Sequence, residues 1–106
     1  MHYKDGNRYE GEWKNNKREG KGIFYWSNGD KYEGDFKGDI IEGKGIYYWN
    51  NGNRYEGDWK KDKREGQGVY YFSNGDREMG NYLNDKKVGK HAFLTIKGKV
   101  KNNNYK

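Results

Sequence analysis

The sequence predicts an all-β fold: an elongated, single-layer antiparallel array of β-hairpin repeats, a solenoid creased along a row of glycines, with an aromatic groove on one face. Three observations carry this. The stretch Gly52-Asn53-Arg54-Tyr55-Glu56-Gly57-Asp58-Trp59 recurs at 23-residue spacing, as Gly6 to Trp13, Gly29 to Phe36 and, in a worn form, Gly75 to Tyr82. A fixed period of this length signals a repeat architecture. Of the 17 glycines, 16 fall on four columns of that period, and only Gly38 is off the grid. Aromatic residues make up 18% of the chain, and they alternate with period 2 rather than at helical spacing.

Each unit reads as two short strands. The first is Tyr9 to Trp13 with its copies; the second is Gly20 to Trp26 with its copies. Between units stand Lys4-Asp5-Gly6, Ser27-Asn28-Gly29, Asn50-Asn51-Gly52 and Ser73-Asn74-Gly75, and Asx-Gly between strands is a hairpin signal. A two-residue loop would pair Tyr25 with Tyr32. A three-residue loop with Gly29 left-handed pairs Phe24 with Tyr32 and Gly22 with Gly34. The second register sorts aromatics and glycines onto one face and charges onto the other, and it is the one expected, because a one-residue slip inverts every side chain.

Within a unit the expected loop is longer, Lys14 to Glu19. Pairing Gly11 with Gly22 and Tyr9 with Phe24 then gives a glycine row from Gly11 to Gly80. Beside it run Tyr9, Phe24, Tyr32, Tyr47, Tyr55 and Tyr70, and on its other side Trp13, Phe36, Trp59 and Tyr82. On the opposite face Lys44 meets Asp58, Ile46 meets Glu56 and, in the fourth unit, Met79 meets Val69. Two strands per unit at ~4.8 Å spacing make four units a rod of roughly 40 Å. Units fall at about 7–29, 30–52, 53–75 and 76–98, so the array spans 1–98. The Lys/Asn-rich 99–106 is a basic tail or end cap, expected to fray. Met1 to Tyr3 match the end of a preceding second strand, which suggests a piece of a longer array.

Composition bounds the function. The chain has 106 residues, 36% charged, with a net charge of +6, so acidic partners are admissible, although alternating Lys and Glu ordinarily form a solvated face. Without cysteine there are no disulfides, thiolate metal sites or cysteine nucleophiles. No apolar run approaches the ~20 residues of a membrane helix, and the N-terminus is not of signal-peptide type.

The pattern Tyr-Glu-Gly-Asp/Glu-Trp, then Gly-Lys/Gln-Gly, then Asn-Gly, resembles the MORN (membrane occupation and recognition nexus) repeat over residues 3 to about 98. The resemblance implies a hairpin array with a groove along one face. It also implies scaffold roles in cytoskeletal or membrane-contact structures, a cytoplasmic location, a groove-bound partner peptide, end-to-end homodimers and, less evenly, phospholipid binding.

Catalysis is poorly supplied. Ser27 and Ser73 sit in turns, where serine is ordinary turn chemistry. His2 and His91 stand apart, Glu10, Glu33 and Glu56 recur as surface pairs, and Gly20-Lys21-Gly22 lacks the context of a phosphate loop. No enzyme activity, cofactor or metal is expected. The expected partner groove comprises Tyr9, Trp13, Phe24, Tyr32, Phe36, Tyr47, Tyr55, Trp59 and Tyr70, weighed against simple self-packing. The alternative surface is the row of basic loops, Lys14, Lys17, Arg18, Lys60, Lys61, Lys63 and Arg64, facing anionic phospholipid or an acidic partner. Lys86, Lys87 and Lys90 extend this row, and exposed Ile40 and Ile41 interrupt it as a contact point. Nucleic acid is disfavoured, because aromatics and basics fall on different faces.

Overall fold

The computed structural model describes Tyr3 and residues 5–105; Met1 and His2, expected to close a preceding strand, lie outside the described residues. The strands are β1 (Arg8–Lys14), β2 (Lys17–Tyr25), β3 (Lys31–Lys37), β4 (Ile40–Tyr48), β5 (Arg54–Lys60), β6 (Lys63–Tyr71), β7 (Arg77–Leu83), β8 (Lys86–Leu94) and β9 (Val100–Tyr105). They form one antiparallel sheet in chain order, a body of 46 × 24 × 18 Å. The glycine row pairs as Gly11–Gly22, Gly22–Gly34, Gly34–Gly45, Gly45–Gly57, Gly57–Gly68 and Gly68–Gly80. Lys44 meets Asp58, Ile46 meets Glu56 and Val69 meets Met79, so the three-residue inter-unit loop sets the register. At that loop Gly29 has φ +98°, and its N–H donates to Trp26 O at 3.1 Å.

The loop within a unit differs from expectation. β2 starts at Lys17, leaving a two-residue turn at Asn15-Asn16. Both residues have positive φ, 51° and 64°, as do Lys61-Asp62, Asn84-Asp85 and Gly38-Asp39. This is the type I′ geometry that matches strand twist, and Asn, Asp and Gly suit it best. The surplus residues go into a bulge, where Glu19, Gly20 and Lys21 lie opposite Glu12 alone. Bulges leave backbone donors unpaired, and the facing carboxylate satisfies one. Glu12 accepts the Lys21 N–H at 2.6 Å, Asp35 that of Lys44 at 3.2 Å, and Asp58 that of Gln67 at 3.3 Å. Glu12, Asp35 and Asp58, each following the crease glycine on the first strand of its unit, are therefore bulge caps.

Two further departures concern the ends of the expectation. The tail does not fray: Val100–Tyr105 pairs along β8 as a ninth strand. Ile40 and Ile41 are not a protruding loop; they begin β4, and Ile41 is buried.

Both long edges are stapled between units. At the inter-unit turns, Asn7 accepts the Ser27 N–H, Asp30 that of Asn50 and Asn53 that of Ser73, each at 2.8 Å, and Asp76 that of Ile96 at 3.0 Å. At the I′ turns, Asp39 accepts the Arg18 N–H at 2.8 Å, Asp62 that of Ile41 at 2.7 Å and Asp85 that of Arg64 at 2.8 Å. Each turn thus holds its predecessor, the nearest-neighbour coupling of a solenoid.

The core is aromatic, and it lies on one face. Tyr9, Tyr32 and Tyr55 are fully buried, with Phe24, Phe36, Ile41, Trp59 and Tyr82 nearly so. Each of the three tyrosines lies across the glycine pair of its own hairpin, where a methyl on Gly22, Gly45 or Gly68 would overlap the ring. Its hydroxyl donates to a carbonyl three residues on: Tyr9 to Glu12 at 2.8 Å, Tyr32 to Asp35 at 3.0 Å and Tyr55 to Asp58 at 3.3 Å. The missing side chains are therefore filled by rings from the adjacent strand.

Candidate functional site

Two aromatic rows run the length of the array. One is edge-to-face and, beyond its exposed first ring, buried, from Trp13 through Tyr9, Phe36, Tyr32, Trp59 and Tyr55 to Tyr82, at centroid distances of 5.0–5.5 Å. The other is half-buried apart from Phe24, and runs from Tyr3 through Phe24, Trp26, Tyr47, Trp49, Tyr70 and Phe72 to Phe93, at 4.7–5.8 Å. Such pairs contribute about 0.5–1.5 kcal/mol each beyond area burial. Burial pushes the Tyr32, Tyr47 and Tyr55 hydroxyls well above their ordinary value, and the Tyr82 hydroxyl up to about 12.

The expected partner groove is thus divided. Tyr9, Phe24, Tyr32, Phe36, Tyr55 and Trp59 are consumed by packing on one another and offer no open ring face. Trp13 is 42% exposed at the array end, and Tyr47 and Tyr70 stand half-buried in the second row. Trp26, Trp49 and Phe72, which complete that row, escaped the sequence reading. The signal was available: they recur at 23 residues, immediately before each inter-unit turn.

The open concavity lies on the other face. It is a trough of about 800 Å³ whose floor alternates acid and aliphatic: Glu33 opposite Ile46, Ile46 opposite Glu56, Glu56 opposite Val69, Val69 opposite Met79. On the same face rings are capped by cations, with Arg8 over Tyr25 at 4.1 Å, Lys31 over Tyr48 at 4.4 Å and Arg54 over Tyr71 at 3.9 Å, and of these Tyr71 lines the trough. Lys44, paired with Asp58 at 2.7 Å, also lines it, and Lys21 repeats that pairing with Asp35 at 2.5 Å. Against the cost of partial burial, the Lys21 hydrogen bond and the Lys44 backbone N–H hold the Asp35 carboxyl below its ordinary value. Creasing at the glycine row explains the shape: rings fold over the glycines on one side, so the sheet opens on the other.

The basic row is divided as well. Lys14, Lys17, Lys60, Lys61 and Lys63 are exposed at the turns. Arg18 and Arg64 are not available. The Arg18 guanidinium donates to Asp39 Oδ1 at 3.1 Å and to its carbonyl at 2.8 Å, and lies 4.9 Å from the Phe24 centroid. Arg64 repeats this with Asp85, at 3.2 and 2.7 Å, over Tyr82 at 4.9 Å. The Arg18 N–H and guanidinium hold the Asp39 carboxyl below its ordinary value. Lys87, in the same column, pairs with Glu78 at 3.0 Å.

The fourth unit rebuilds the core by exchange. Glu78 stands where the others have tyrosine, and His91 where they have the second crease glycine. The His91 ring lies over Gly80, from the opposite strand to the tyrosine it replaces. Its Nε2 lies 2.9 Å from Asn81 O, the carbonyl equivalent to the tyrosine acceptors. Its Nδ1 lies 3.0 Å from Glu78 Oε2, and both residues are buried.

The sequence matches the MORN repeat in three consecutive segments, residues 9–31, 32–54 and 55–77. The chain belongs to the MORN repeat family. MORN repeats are in general non-catalytic modules for protein and membrane interaction. The matched segments begin at Tyr9, Tyr32 and Tyr55, the three fully buried tyrosines, so the family pattern starts each unit on its core ring. The exchanged fourth unit falls outside the match, yet it completes the same sheet. No curated protein matches the chain significantly.

Proposed function

We propose that this MORN array is a non-enzymatic interaction scaffold that receives a partner segment along the trough. The observation that carries the reading is the division of labour between faces. The aromatic face is filled by its own rings, whereas the glycine-creased face presents a continuous concavity lined by Ile46, Val69 and Met79 among carboxylates and lysines. Concave, partly apolar surfaces with a few placed polar groups are the usual binding sites.

The test is affinity capture of partners on the wild type and two variants matched for folding by circular dichroism. Ile46→Arg with Val69→Arg fills the trough; Trp49→Ala trims the half-buried aromatic row. Loss of partners in the first variant and retention in the second is expected. The reverse pattern returns the function to the aromatic face originally expected to hold it.

A second reading is supported by the turn edge, where Lys60, Lys61 and Lys63 are exposed and Leu83, at the end of β7, is 51% exposed. In it, the array docks on anionic phospholipid through these turns, each lysine near the surface contributing ~1 kcal/mol. Sedimentation with phosphatidylserine vesicles should then fall by roughly two orders of magnitude in affinity on replacing all three lysines by glutamine. Equal sedimentation of the two proteins rejects it.

A further inference from the structure

Three inter-unit turns carry Asn-Gly, at Asn28-Gly29, Asn51-Gly52 and Asn74-Gly75, and Asp5-Gly6 fills the same columns in the first. All are exposed. In Asn-Gly the asparagine side chain is open to attack by the main chain, because glycine has no side chain to shield its own nitrogen. The four turns share one frame. The first residue accepts, through Oδ1, the N–H two residues on: Asp5 from Asn7 at 3.0 Å, Asn28 from Asp30 at 2.9 Å, Asn51 from Asn53 at 3.0 Å and Asn74 from Asp76 at 2.9 Å. Each glycine N–H donates back across its turn at 2.9–3.1 Å. Neither bond distinguishes one turn from another.

The side-chain amide nitrogen does. Asn28 Nδ2 donates to Asp30 Oδ2 at 3.4 Å, and Asn74 Nδ2 to Asp76 Oδ2 at 3.2 Å. In the third turn the residue two on is Asn53, whose own Nδ2 donates to the Tyr70 hydroxyl at 3.1 Å. Among the described residues, Asn51 Nδ2 donates to nothing. A carboxylate beside the asparagine opposes its reaction twice. It holds the nitrogen that must leave, and it repels the negative charge that develops on the glycine nitrogen and the side-chain oxygen. Asn51 escapes both effects.

We propose that Asn51-Gly52 is a self-modification site that deamidates ahead of its two copies. The Gly52 nitrogen, once it releases both its bond to Trp49 O and its proton to hydroxide, attacks Asn51 Cγ. The Cγ–Nδ2 bond breaks, the nitrogen leaves as ammonia with a proton returned by water, and a succinimide closes. Water opens that ring at one carbonyl or the other, giving aspartate or isoaspartate. Isoaspartate lengthens the turn by one main-chain carbon. Aspartate has its place in the fold already: beside Asn7, Asp5 accepts the Asn7 N–H and Nδ2 at 3.0 and 3.1 Å. Asn53 offers the same two donors at the third turn, whereas an acid at position 28 or 74 would face Asp30 or Asp76. Reaction at Asn51 thus subtracts one unit from a net charge of +6 without setting two carboxylates together.

The three turns fall in separate tryptic peptides, ending at Lys31, Arg54 and Arg77. The full chain is aged at mildly alkaline pH, digested under mildly acidic conditions, and each site's conversion is read by mass spectrometry against the same peptide aged free in solution. Relative to its free peptide, Asn51 is expected to convert about fivefold faster than Asn28 or Asn74, the upper range for one charged contact at an exposed site. Exchanging the flanking residues, Asp30→Asn with Asn53→Asp, should move the fast site from Asn51 to Asn28; each substitution places a residue that another unit already carries in that column. Equal relative rates at the three turns, or a faster Asn28 or Asn74, overturn the assignment. A fast site that stays at Asn51 in the folded exchange variant overturns it too. The wild-type ranking decides by itself if that variant does not fold.

Discussion

Replacing Tyr55 by alanine is expected to destabilise the protein by about 4 kcal/mol. Tyr55 is fully buried, contacts Trp59 and Tyr82 edge-on, fills the crease over Gly57 and Gly68, and bonds the Asp58 carbonyl. Its removal opens a cavity shared by two hairpins that the stapled backbone cannot collapse. The melting midpoint should fall by roughly 20 °C. Two controls separate the contributions. Tyr55→Phe keeps the ring and loses one hydrogen bond, worth about 1 kcal/mol. Tyr25→Ala removes a half-buried ring on the other face, stacked only under Arg8, for about 1 kcal/mol or less. Denaturant titration showing similar losses for Tyr25→Ala and Tyr55→Ala would contradict the one-sided core.

The second large effect concerns the fourth unit. Glu78→Tyr alone drives a ring into the space of His91, and overpacking of this kind costs about 1–3 kcal/mol. His91→Gly alone vacates the crease, unpairs one side of a buried carboxylate and adds a strand glycine, for about 2–4 kcal/mol. The double variant restores the tyrosine-over-glycine arrangement of units one to three. It should lie within about 1 kcal/mol of the wild type, a coupling of at least ~2 kcal/mol. Strict additivity of the two single losses, measured by urea unfolding, would mean that the exchange is coincidence.

These expectations show where sequence reasoning reached and where it stopped. The face of each side chain was legible because period-2 alternation and the glycine columns leave one register consistent. The short I′ turn was not: Lys14 to Glu19 is polar throughout, and a two-residue turn followed by a bulge looks like a six-residue loop. Only the positive-φ tolerance of Asn15-Asn16, Asp62 and Asp85 hinted at it. The bulge in turn hid the role of Glu12, Asp35 and Asp58, whose carboxylates bind backbone donors that regular pairing would have satisfied. Which rings stay open was not legible for a different reason. The aromatic face was recognised as a surface able to pack on itself, but a sequence does not say which side of a crease is concave. Arg18 and Arg64 looked like free loop cations because their partners, Asp39 and Asp85, are 21 residues away in the next turn.

The paired aromatic rows also give the molecule an optical readout. Tyr47 lies 5.1 Å from Trp26 and 4.7 Å from Trp49, Tyr70 lies 5.2 Å from Trp49, Tyr32 and Tyr55 lie 5.5 and 5.3 Å from Trp59, and Tyr9 lies 5.0 Å from Trp13. At such separations an excited phenol hands its energy to the neighbouring indole, so the emission of the folded array is almost wholly that of tryptophan. Separation of the first three hairpins would release tyrosine light in proportion to the rings set free. The fourth hairpin contains no tryptophan, so its opening can proceed with little change in colour.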